Sequence, residues 1–164
     1  MDGSPRTTTA RTSSQTNLRG AAPMQPMSDQ RRREFLLAGT RTGHLATTRA
    51  DGSAHVAPVW FTLDGDDVIF MTGADTLKGR TLRRDPRASI SVDDPAPPFS
   101  FVLVTGHCEL SDDLVEMHRW ALQISHRYMG SEQAEQFARR NAVAGELLVR
   151  LRPERFVAHD AIAI

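Results

Sequence analysis

Between Thr42 and Thr72 the chain runs through short apolar-alternating segments broken by two Asp-Gly turns, and nothing else in the sequence constrains the fold as tightly. Thr42–Thr48 (TGHLATT) and Ala54–Leu63 (AHVAPVWFTL) flank Ala50-Asp51-Gly52-Ser53, and Leu63-Asp64-Gly65-Asp66 leads into Val68–Thr72 (VIFMT). Asp and Gly tolerate the backbone of a tight reversal, so the pattern predicts three strands in an antiparallel meander. Pro58 has no amide donor, which requires its place in the second strand to face a sheet edge, a bulge or a ligand.

Ala88–Val92 and Phe99–Leu110 read as two further strands around the loop Pro95-Ala96-Pro97-Pro98, and Glu146–Ala158 closes the chain as a final strand or pair of strands. Helices are expected from an N-cap at Ser28 to Gly39, from Thr76 to Arg84 before Asp85-Pro86, from a Ser111 cap to Tyr128, and over Glu132–Arg140. Short strands with few helices on a chain of 164 residues imply one mixed α+β domain built on a Greek-key or meander barrel. A Rossmann fold is disfavoured, since strands do not alternate with long crossover helices and no G-x-G-x-x-G occurs.

Composition excludes several classes. The formal net charge is zero, so no global field recruits nucleic acid or an anionic membrane. No apolar run is long enough to span a bilayer. With Cys108 as the single cysteine no internal disulfide forms, which suits a reducing, cytoplasmic setting. Residues 1–27, rich in Ser, Thr, Gly and Pro, lack a hydrophobic period and are expected to be a disordered tail, or to precede a true start near Met27. The domain proper is then 28–164.

Chemistry concentrates in Phe70-Met71-Thr72-Gly73-Ala74-Asp75-Thr76-Leu77-Lys78-Gly79-Arg80. A buried-type strand ends in a hydroxyl, turns at glycine and enters a helix. The first helical turn has unpaired amides and a positive dipole end, which together receive phosphate. Thr72 and Thr76 add hydroxyls, and Lys78, the sole lysine, adds a mobile charge with Arg80, Arg83 and Arg84 nearby. The same residues serve as an ordinary capped, solvated helix, and the local pattern leaves both readings open.

Val56-Ala57-Pro58-Val59-Trp60-Phe61, Phe70-Met71-Thr72, Thr76-Leu77-Lys78-Gly79 and Leu82-Arg83-Arg84-Asp85-Pro86-Arg87-Ala88 together resemble the pyridoxamine 5'-phosphate oxidase-like split-barrel family. With Phe101-Val102-Leu103-Val104-Thr105-Gly106 and Arg127-Tyr128-Met129-Gly130, the likeness is to its actinobacterial branch of F420-dependent oxidoreductases. The resemblance implies a six-stranded antiparallel split β-barrel with peripheral helices, and a homodimer holding F420, or alternatively FMN, at the subunit interface. It implies that Val59, Trp60 and Phe61 lie along the cofactor ring, mainly through backbone contacts, that Met71 and Thr72 approach the ribityl chain and phosphate, and that the cofactor-binding turn Thr76-Leu77-Lys78 holds the phosphate through Thr76 and Lys78. Phe101 is expected near the ring. Leu77 stands where pyridoxamine oxidases carry a phosphate-binding arginine, and Phe101 where they carry a polar residue. Both departures argue against a vitamin oxidase. The implied reaction is hydride transfer with a small conjugated organic substrate; the rival is a non-catalytic carrier of flavin, F420 or tetrapyrrole.

Other candidates weigh less. His118 and His126 sit two helical turns apart, too far to share a metal unaided, and no metal is assigned. Cys108 reads as a small core residue, and no G-x-S-x-G supports a hydrolase. Arg127 and Tyr128 read either as a helix end with a core tyrosine or as a pocket wall. Either one, or a bound water, could supply the proton, and no catalytic residue is assigned.

Overall fold

The computed structural model describes residues 24–162. The tail expected over 1–27 therefore lies largely outside the described residues, but its last part does not: Gln25–Pro26 forms a short strand, β1, against Asp160 and His159. There follow α1 (Asp29–Leu37), β2 (Gly43–Thr48), β3 (Ala54–Val59), β4 (Phe61–Asp64), β5 (Asp67–Gly73), α2 (Leu77–Arg84), β6 (Arg87–Asp94), β7 (Ser100–Ser111), α3 (Leu114–Met129), α4 (Ser131–Asn141) and β8 (Glu146–Asp160). The sheet is antiparallel throughout, in the order β3-β2-β6-β7-β8-β5-β4, with β1 paired to β8.

This order carries a geometric consequence. Strands β3 and β4 stand at opposite ends of the sheet, yet only Trp60 separates them in sequence. A chain can join two edges through one residue only if the sheet curls until those edges meet. The fold is thus the split-barrel α+β class expected, closed at Trp60. The meander is corrected in detail: β2–β3 and β4–β5 are two hairpins at opposite ends of the sheet path. That break and β1 raise the expected six strands to eight. Both hairpins turn where foreseen, with Gly52 and Gly65 at positive φ. Pro58 lies on the edge strand β3, where a missing amide costs no ladder bond on the open side.

Alternation sends Leu45, Phe61, Val68, Phe70, Ile90, Val92, Val102, Val104, Val149 and Leu151 into the barrel, all fully buried. Each contributes about 1.5–3 kcal/mol of transfer free energy before entropy is set against it. A second cluster of Ile69, Met117, Trp120 and Leu148 fixes α3 on the outer face of β5 and β8. The β7–β8 ladder slips by one residue at Thr105/Gly106, where a side chain at Gly106 would collide with the Arg152 carbonyl.

Ser28 caps α1 as expected, accepting from the Arg31 amide. Arginines then lock that helix down: Arg31 onto Asp160, Arg33 onto Asp66, and the buried Arg32 onto Asp29 and Asp66 with its guanidinium 3.7 Å from the Phe156 ring centroid. The cap of α3 is Asp113, which accepts from Val115 and Glu116, rather than Ser111; β7 runs on to Ser111, because Leu110 and Ser111 still pair with Val149 and Leu148. Arg127 donates to the Leu36, Gly39 and Phe61 carbonyls at 2.6, 2.9 and 2.8 Å, joining the ends of α3 and α1 to the start of β4.

Candidate functional site

Where β5 ends and α2 begins, the turn is built by one hydroxyl. The Thr76 hydroxyl accepts from the Gly79 amide at 3.1 Å and donates to the Gly73 carbonyl at 2.7 Å. Its single proton is thereby used, so the Thr72 hydroxyl, 3.0 Å away, is the donor between the two threonines. Gly79 is required by packing: a Cβ there would press on the Gly73 carbonyl and stand 2.7 Å from that of Ala74. The Ala74 amide donates to Gly145 at 2.7 Å, tying the turn to the start of β8.

Beside this turn lies a cavity of about 440 Å³, within the range of small-molecule sites. Its wall includes Val59, Trp60, Met71, Ala121 and Ile124, while Thr72, Thr76 and Lys78 stand at the turn. The cavity therefore unites an apolar wall carrying one aromatic ring with a region of hydroxyls and one cation. Trp60 is 43 % exposed, and its other face stacks on Tyr128 with centroids 4.8 Å apart and planes 3° from parallel. Tyr128 is pinned in turn: its hydroxyl donates to the Arg41 carbonyl at 2.7 Å and accepts from the Phe61 amide at 3.3 Å. Burial raises the Tyr128 phenol above its ordinary range and lowers the Arg127 guanidinium below its own.

Six of the expected cofactor residues, Val59, Trp60, Met71, Thr72, Thr76 and Lys78, thus share one cavity. Three do not line it. The Phe61 side chain is fully buried in the barrel, with its amide and carbonyl engaged by Tyr128 and Arg127. Leu77 faces a separate depression with Arg49, Arg80 and Arg84. Phe101 sits on β7 against the His159 ring, centroids 5.8 Å apart. Arg80 and Arg84 turn away from the cavity onto the Asp75 and Thr48 carbonyls. Arg127 and Tyr128 brace the fold; neither lines the cavity.

Thr42, Ser125, Asn141 and Glu146 line the cavity without having been singled out from sequence. No local motif marks them, since each reaches the site by long-range packing of β2, α3, α4 or β8. Desolvation raises the Glu146 carboxyl above the ordinary range, and the Lys78 charge partly opposes this. Cys108 is buried, its thiol pushed up to about 12 by desolvation. Among the described residues, no group of three or more His, Cys, Asp or Glu could hold a metal, and no helix is long and apolar enough to cross a membrane.

Residues 28–160 match the family model described as pyridoxamine 5'-phosphate oxidase. A conserved hypothetical protein of Mycobacterium tuberculosis superposes with a TM-score of 0.73 at 27 % identity, over 82 % of this chain and 86 % of that one. An F420 reductase superposes with a TM-score of 0.62 at 29 % identity, over 76 % and 94 %. A heme-binding protein of Mycobacterium smegmatis, at 23 % identity and a TM-score of 0.62 over 82 % and 55 %, shares the fold. No curated protein matches by sequence.

Proposed function

The chain belongs to the pyridoxamine 5'-phosphate oxidase family, and on that premise we propose that it is an oxidoreductase using F420, or alternatively FMN, for hydride transfer with a small conjugated organic substrate. The observation that carries the reading is the single cavity joining Trp60, Val59 and Met71 to Thr72, Thr76 and Lys78. Likeness to an F420 reductase supports the choice of cofactor.

The residues present fit such a group. A Cβ on Gly73 would stand 3.0 Å from Thr76 Cγ2 and 3.4 Å from Glu146 Oε1, so glycine keeps a side chain out of this part of the cavity wall. Lys78 would hold the phosphate, the Thr72 hydroxyl would join it by turning its proton from Thr76 Oγ1 to the phosphate, Thr76 would hold the turn in shape, and Val59, Met71 and Trp60 would flank the ring. When bound, the cofactor ring supplies the two-electron chemistry; the protein orients it and keeps water from its buried face.

The active unit in this reading is a homodimer with the cofactor between subunits. Val56 on the edge strand β3 and Val115 on α3 are 60 % and 82 % exposed. The test is titration of the purified protein with F420 and with FMN, followed by fluorescence. Lys78→Ala is expected to weaken phosphate-bearing cofactors by about 10- to 100-fold. Saturable binding with no electron acceptor oxidising the reduced cofactor would make the protein a carrier, and failure to bind either cofactor would overturn the proposal.

A further inference from the structure

The charges in the cavity are unusual for a phosphate site. Among the described residues Lys78 and Glu146 are the only charged ones lining it, so the formal charge this protomer gives it is zero. Glu146 is not an incidental neighbour. It is the register partner of Gly73 across the β5–β8 ladder, and the Ala74–Gly145 hydrogen bond fixes the two segments together. Glu146 Oε1 lies 3.4 Å from the position of a Cβ on Gly73, on the far side of which stands Thr76. A carboxylate is therefore built into the same turn that offers hydroxyls and Lys78.

We propose that Glu146 is a specificity-determining residue that favours a phosphodiester over a phosphomonoester at the Thr72–Thr76–Lys78 turn. The inference deepens the reading of this cavity as a flavin or deazaflavin site and rests on it. A phosphomonoester, as in FMN, carries about −1.5 to −2 charges at neutral pH, whereas the phosphodiester of F420 carries a single one. One lysine neutralises a single charge. The second charge of a monoester meets no further cation among the described residues of this protomer that line the cavity, and Glu146 repels it. Leu77 faces elsewhere, and Arg80 and Arg84 are committed to backbone carbonyls.

The experiment compares FMN, riboflavin and F420 binding to the wild-type protein and to Glu146→Gln. Glu146→Gln is expected to tighten FMN about tenfold, F420 by no more than about threefold, and phosphate-free riboflavin not at all. A second measurement needs no variant. Raising the pH from about 5.5 to about 7.5 takes a phosphomonoester through its second ionisation. Wild-type affinity for FMN relative to riboflavin should fall across that range, while F420 affinity changes by no more than about threefold. Lys78 from α2 and Glu146 from β8 are the charged groups facing the ligand, and ionisation of Glu146 acts in the same direction. FMN and F420 responding by one common factor, or an FMN-to-riboflavin ratio unchanged in both measurements, overturns the inference alone. Binding of neither cofactor to either form overturns the proposed function and this inference with it.

Discussion

Tyr128 lies flat against Trp60, 4.8 Å between ring centroids, while its hydroxyl ties the Arg41 carbonyl to the Phe61 amide. The pair sits where the two edges of the sheet meet, because Trp60 is the one residue between β3 and β4. The corner that closes the barrel therefore also forms an aromatic wall of the cavity.

Tyr128→Phe keeps the stack but leaves two backbone groups without their partner. It is expected to lower stability by about 1–2 kcal/mol in urea unfolding while Trp emission stays near that of the wild type. Tyr128→Ala removes the stack as well, and Trp60 emission should then shift to the red.

Gly79→Ala should destabilise by about 1–3 kcal/mol, since its methyl is forced onto the Gly73 and Ala74 carbonyls and the helix start must move. Thermal melts measure the loss. Arg80→Ala, which removes only an exposed side-chain bond to the Asp75 carbonyl, should change the melt little.

Cys108 should resist thiol reagents in the native state and react only on unfolding. Its thiol is raised from 9.0 to about 12 by burial. A raised folded value means this contribution to stability is fully present below the unfolded value and fades as pH rises through the folded one. Rapid labelling of native protein at pH about 8 would contradict the buried placement.

Acid should loosen α1 early. The arginines beside Asp66 and Asp160 hold both carboxyls below the ordinary range. Depressed values mean the stability they add is present above the unfolded value, about 3.9, and is lost as pH falls through the folded ones. Hydrogen exchange on acidification is expected to show Asp29–Leu37 losing protection before the β7–β8 ladder. Asp66→Asn should bring that loss forward at neutral pH.

What the sequence determined by itself was whatever depends on near neighbours. The alternation within Thr42–Thr72 and Ala88–Val92 marks strands because pleating sets side-chain period at two. The turns at Gly52 and Gly65 and the caps at Ser28 and Thr76 follow from backbone freedom and one hydroxyl reaching three residues on. Those cues were enough for the barrel class and for the turn at Thr72–Lys78. Tertiary structure decided the rest. An unbroken extended run, Ala54–Leu63, gives no local sign that it leaves one sheet edge and arrives at the other; that depends on curvature summed over the whole sheet. Likewise Glu146 reaches Gly73 only through the register of β5 on β8. Burial of Phe61 and the turning away of Leu77 were settled by which face each element packs, since a side chain's direction is fixed only when its neighbours arrive.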